Sequence, residues 1–364
     1  MPHPIRLNRK RLAGMSLVEV MVALVIGMFG VLVMMQILTV TEEQKRTTTS
    51  GNDAMNEGVL GLYTMQTDLR MAGYGITDRK LMGCALTLRA GVVLNNLGPV
   101  LINPSVITGQ DANTDTLLVF YGLTTGTPQG DNIVAAGNKV QTPVVFAAND
   151  WVVPAYASTP SPCNLLLEQV STVDVPSKVA TLKSGNALDG YITGSGPGVL
   201  FNLGQSYRAV GYAIRGGNLT MCDFSSAGTN CTLASSWVAI ANDMVSLRAQ
   251  YGRDVRLDAA LPVVKPPAVV NAIVSVYDQT TPTTACGWSR ATAVRLALVA
   301  RSTQVEKDAV TTAVPVWEGS YDTAGNPAAA IALPGADWQN YRYKVFQTTV
   351  PLRNLTWMGV LTGC

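Results

Sequence analysis

The chain has a single histidine, His3, within a short basic stretch at its start. Nothing downstream of it can complete a Ser-His-Asp triad, a Cys-His pair or a His-ligated zinc site, so those chemistries are excluded. No close C-x-x-C pair suggests a redox motif or a metal knuckle. "CGWSR" (286–290) lacks the G-x-S-x-G elbow and reads as a turn at a disulfide. "GSGPG" (194–198) lacks the Lys and Ser/Thr of a phosphate loop. The first fourteen residues contain no acid, and the residues from Val20 to Met35 contain no polar side chain.

That last absence is the most informative. From Met15 to Val40 the run exceeds the ~20 apolar residues needed to span a bilayer. Arg6, Arg9, Lys10 and Arg11 precede it, which places the N-terminus on the cytoplasmic side. "QILTVTEEQKR" follows without the small-x-small site of a secretory signal. The formal net charge is +2, four of the positive charges lie before Met15, and the remainder carries −2. Nothing in that balance points to a broad nucleic-acid footprint.

One acid interrupts the apolar run. A charge in hydrocarbon costs about 2.5–3.5 kcal/mol on insertion scales and calls for a partner. Glu19 has no basic residue on its own run. Cleavage after Gly14 would give Met15 a free ammonium four residues away, at a helix end whose dipole also favours an acid. Ala23 and Gly27 have small-xxx-small spacing, and Gly30 extends the surface; such residues let helices approach closely.

These residues, a basic leader ending in Gly14 followed by "MSLVEVMVAL", resemble the class III signal of type IV prepilins and type II secretion pseudopilins. The resemblance implies cleavage between Gly14 and Met15 by the membrane prepilin peptidase, N-methylation of the new terminus, and a Glu19 that neutralises an adjoining subunit's N-terminus during assembly. Met15 departs from the usual Phe, and the kinking Pro of many major pilins is missing.

Beyond Val40, Met55, Val59, Leu62 and Leu69 fall at helical spacing and predict an amphipathic helix under a head. Gly51, Gly58 and Gly61 weaken it, and Gly73 and Gly75 are expected stops. A helix from Met15 to Ala72 would be roughly 87 Å long. From Ile76 the chain reads as β-rich: 115–123, 132–137, 142–148, 209–224, 272–278, 292–303 and 343–355 are short runs rich in β-branched and aromatic residues. "IRGGNLTM" predicts a hairpin, and a helical turn is expected within 237–251. The expected class is α+β, pilin-like: a leader (1–14), a long helix (15–75, transmembrane at about 15–40) and one β-rich head (76–364).

All six cysteines lie beyond the membrane run, in a compartment that permits disulfides. Cys222 and Cys231 bracket a turn-rich loop and are the expected local bridge. The other four allow three pairings; chain proximity favours Cys84 with Cys163 and Cys286 with Cys364. Asp111, Asn113 and Asp115 resemble the start of a calcium loop, but Thr116 and Gly122 stand where a Gly and a bidentate Glu are needed. A polar turn is expected there, and neither metal nor cofactor. Glu42 and Glu43 read as a solvated helix face, and the scattered Trp residues as core or interface.

"MQTDLRMAGYG" (65–75), "NDMVSLRAQYGRD" (242–254), "AVRLALVARST" (293–303) and "YRYKVFQTTVPLRN" (341–354), in that order, resemble the segments of PilW-type minor pilins. That resemblance implies a subunit that spans the inner membrane once with a periplasmic head and then moves to the fibre tip at the cell surface; the want of any histidine after His3 and of a convergent acid pair argues against an enzyme. Its implied partners are other minor pilins and a tip adhesin, with which it primes assembly. A J-type pseudopilin of type II secretion is the alternative, and a membrane-tethered periplasmic binding module a further one.

Overall fold

In a computed structural model, residues 14–76, 78, 81–89, 91–123, 130–156, 163–193, 196–254, 274–322 and 324–356 are described. The chain divides into two compact units, Met1–Asn52 and Asp53–Cys364. The helix Leu17–Met71 runs through the division.

Within the first unit the apolar side chains of the helix are exposed, from Leu17 to Val40. This is the one described helix long and apolar enough to cross a membrane, with a mean hydropathy of 2.6 over its best window. Beyond the apolar run, threonine hydroxyls satisfy themselves on the preceding turn: Thr47 Oγ1 donates to Glu43 O at 3.0 Å and Thr48 Oγ1 to Gln44 O at 2.8 Å.

In the second unit the helix buries Ala54, Gly58, Gly61, Met65, Leu69 and Ala72. This corrects the expected stripe, because Met55 and Val59 are 49% and 57% exposed. The glycines that lower helix propensity are part of the packing face. A Cβ on Gly58 would lie 2.1 Å from the Phe346 ring, and one on Gly61 would lie 3.0 Å from Leu219 and 3.1 Å from Leu298. The sheet fills the space that helix side chains would otherwise occupy.

Two antiparallel sheets receive this face. One has the order Val238–Ala241, Asn218–Asp223, Tyr207–Arg215, Leu117–Gly122, Val100–Ile102; the other runs Val276–Asp278, Met244–Arg253, Ala291–Arg301, Tyr343–Pro351. The expected hairpin is present: Arg215 pairs with Asn218 across Gly216 and Gly217, both at positive φ (56° and 71°).

A closed six-stranded barrel forms from Asp131–Ala135, Lys139–Val140, Trp151–Ala155, Glu168–Asp174, Val179–Leu182 and Gly198–Gly204. Its separate core includes Ile133, Val152, Val170 and Leu200. A three-stranded sheet of Val92–Leu94, Ala85–Arg89 and Asn164–Leu166 contains a parallel pair, Ala85 with Asn164, beside the Cys84–Cys163 disulfide.

Three local expectations are corrected. Residues 237–251 hold no helix; strands Val238–Ala241 and Met244–Arg253 occupy them. The second is buried along nearly its whole length, so its apolar run lacks alternation and imitates a buried helix. Within 142–148 the residues Pro143–Val145 form a 3-10 turn rather than a strand, since Pro143 at its start has no N–H to give a ladder. Residues 286–290 belong to a short helix, Ala285–Arg290, whose N-terminus is capped by Thr284 Oγ1 accepting from Gly287 N at 3.1 Å.

Candidate functional site

The predicted assembly residues lie in the first unit. Gly14 and Met15 precede the first helical turn, and Met15 is 72% exposed. Glu19 stands in that turn, its backbone N–H donating to Ser16 O at 3.0 Å. Ala23, Gly27 and Gly30 follow at steps of four, four and three, so the acid and the small residues share one helix face. A Cβ at Gly27 or Gly30 would have no neighbour within 4 Å. The face therefore offers a close-approach groove headed by a carboxylate.

The second unit holds residues 53–71 of the helix by polar contacts as well as packing. The Asp68 carboxylate accepts from the hydroxyl of Tyr121 at 2.8 Å and from that of Tyr212. Burial, and then the Asp68 bond and charge, push the Tyr121 hydroxyl up to about 12. Burial and the Asp68 charge raise Tyr212 further. Gln66 Nε2 donates to the Thr348 hydroxyl. Asn242 donates its backbone N–H to Glu57 Oε2 at 2.8 Å.

The helix end is closed from the far end of the described chain. Asn354 Nδ2 lies 3.1 Å from Ala72 O and 3.2 Å from Met71 O, which also accepts the Tyr74 backbone N–H at 3.0 Å, so the amide adds a donor where the helix runs out of its own. Gly73, at φ 78°, turns the chain away and donates to Phe120 O at 2.8 Å. The sequence marks Gly73 as a stop and "MQTDLRMAGYG" and "YRYKVFQTTVPLRN" as separate segments, but does not show that these two meet, at Asn354 against Met71 and Ala72. Nor does it single out Asp68, whose only signal is an acid on a helix that the head must cover.

Cys222 is bonded to Cys231 and Cys84 to Cys163. Cys286 is disulfide-bonded as well, and its expected partner Cys364 lies outside the described residues. Of the calcium-loop positions, Asp111 and Asp115 accept from protein donors. Asp111 accepts from the backbone N–H groups of Gly216 and Gly217 at 2.9 and 2.8 Å. Asp115 accepts from Asn103, Arg248, Gln279 and the Ala249 N–H, its ion pair with Arg248 measuring 3.2 Å. Among the described residues no group of three or more His, Cys, Asp or Glu is placed to hold a metal ion.

No curated protein matches the chain. Among solved structures, a type IV-like pilin from Thermus thermophilus aligns over 83% of this chain and 96% of its own, at 10% identity and a TM-score of 0.37. A family model described as type IV pilus-assembly protein W matches residues 218–354, a span that opens in the hairpin and closes on Asn354. That span contains Leu219, Asn242, Phe346, Thr348 and Asn354 from the helix seat, and over it the chain is similar to the type IV pilus-assembly protein W family.

Proposed function

We propose that the chain is a minor pilin, cleaved between Gly14 and Met15 by prepilin peptidase and drawn into a type IV pilus through its apolar helix. The observation that carries this is the exposed apolar run with a single acid in its first turn, directly after Gly14. Before assembly the run would lie in the inner membrane with the head outside. After cleavage, the new ammonium of one subunit would pair with Glu19 of its neighbour, turning a residue that is costly in hydrocarbon into a docking group. The small residues below it would let the neighbouring helix come close. In this reading the head contacts other minor pilins in a priming complex at the fibre tip and supports an adhesin there.

Mass analysis of the N-terminus of protein isolated from cells tests the first step. The expected product begins at Met15, with or without one added methyl group. An intact Met1 would reduce the chain to a tethered head. Cross-linking of the isolated fibre to the other minor pilins tests the second step, and recovery without any of them would exclude the priming role.

A further inference from the structure

Arg301 ends the Ala291–Arg301 strand opposite Tyr343, so the two side chains share one face of the sheet. Its guanidinium lies 4.6 Å from the centre of the Tyr341 ring. Arg208, Arg248, Arg253 and Arg342 each pair with a carboxylate, but no described residue accepts from the Arg301 side chain, and its Nε is buried without a partner. Asp243 is near enough for Arg301 to oppose the rise that burial gives its carboxyl, yet no ion pair forms. The Tyr343 hydroxyl beside it is also buried and unpaired. A half-buried cation with no acceptor is costly in a finished core and is expected where an anion arrives from outside.

Arg301 lines a cavity of about 470 Å³, within the range of small-molecule sites. Asp111 lines the same cavity, and its two oxygens each accept one backbone N–H and keep lone pairs free. Val245, Leu333 and Pro334 contribute apolar lining. The cavity thus offers a cation, an apolar surface and a hydroxyl acceptor. We propose that it binds a small hydroxylated carboxylate of the sugar-acid class, with the carboxylate on Arg301, a C–H face on Leu333 and Pro334, and hydroxyls donated to Asp111. A bare anion would be repelled by Asp111, and a neutral sugar would leave Arg301 unpaired.

The test is calorimetric titration of the full-length protein in detergent with glucuronate, glucose and inorganic phosphate, a readout independent of pilus assembly. Saturable glucuronate binding is expected, with glucose and phosphate each weaker by about tenfold or more, the effect of one charge-assisted contact. Arg301→Gln should weaken glucuronate by a similar factor. Ala332→Trp, which fills the cavity and leaves the guanidinium in place, should abolish binding without altering the circular dichroism of the head. Absence of saturable glucuronate binding, equal binding of glucose or phosphate, or unchanged affinity in Ala332→Trp would each overturn the proposal.

Discussion

The side-chain amide of Asn354 donates to the main-chain carbonyl of Met71 at 3.2 Å, joining residues 283 positions apart. The same nitrogen reaches Ala72 O at 3.1 Å. One side chain thereby completes the C-terminus of the helix that carries the head.

Asn354→Ala should take this donor from Ala72 O and leave Met71 O with the Tyr74 N–H alone, lowering stability by about 1 kcal/mol. Thermal unfolding followed by circular dichroism would show a lower Tm with an unchanged folded spectrum. An unchanged Tm would mean that water replaces the amide at no cost.

The contact of Gly58 with Phe346 makes a sharper prediction. Gly58→Ala would normally stabilise a helix, yet here its Cβ would meet the ring at 2.1 Å. The expected result is a loss of about 1–3 kcal/mol from overpacking. Phe346→Ala should remove the conflict, so the double variant should be more stable than the sum of the single effects predicts. Additive chemical denaturation midpoints would show that the ring swings aside freely.

These two contacts also mark the limit of what the sequence reveals. The long helix, its stop near Gly73, the 216–217 hairpin and the Cys222–Cys231 bridge each depend on neighbours within a few residues, and local chemistry suffices to read them. Which helix face is buried depends on Phe346, Leu219 and Leu298, contributed by distant strands, so Gly58 and Gly61 looked like defects. The barrel was illegible for a similar reason: Lys139–Val140 is two residues long, and closure depends on pairing it with Val179. Met244–Arg253 misled in the opposite way, because burial on both faces erased its period. The proposed cleavage and assembly residues are legible because the leader, the apolar run and Glu19 are consecutive. The Arg301 cavity is not, since its walls come from five separate stretches of chain.

Alkali should act on the helix seat through Tyr121 and Tyr212. Both hydroxyls are raised in the folded state, Tyr121 to about 12, whereas the unfolded phenol titrates near 10. Their contribution is fully present below pH 10. It is lost as pH rises from 10 towards 12, because only the unfolded chain releases the proton in that window. Urea midpoints measured across this range should fall with pH, and Tyr121→Phe should flatten the dependence. A parallel decline in that variant would assign the effect to other tyrosines.

The acid on the apolar helix separates anchoring from assembly. Glu19→Ala removes a charge from a segment that is apolar enough to insert without it, so membrane recovery should be preserved or improved. If the carboxylate serves as the partner of a neighbour's ammonium, the same change should lower the amount of the chain in sheared fibres by about tenfold or more, the effect expected from losing a charge-assisted contact. Gly27→Leu tests the surface below it by a different mechanism. It keeps the charge and blocks close approach, and it should weaken recovery with partner pilins while the disulfide-bonded head stays folded. Quantitative blotting of membrane and fibre fractions gives both readings in one experiment. Wild-type incorporation of Glu19→Ala would show that a membrane charge without a docking role is tolerated here, and the assembly reading would then lose its physical basis even if Gly27→Leu proved defective.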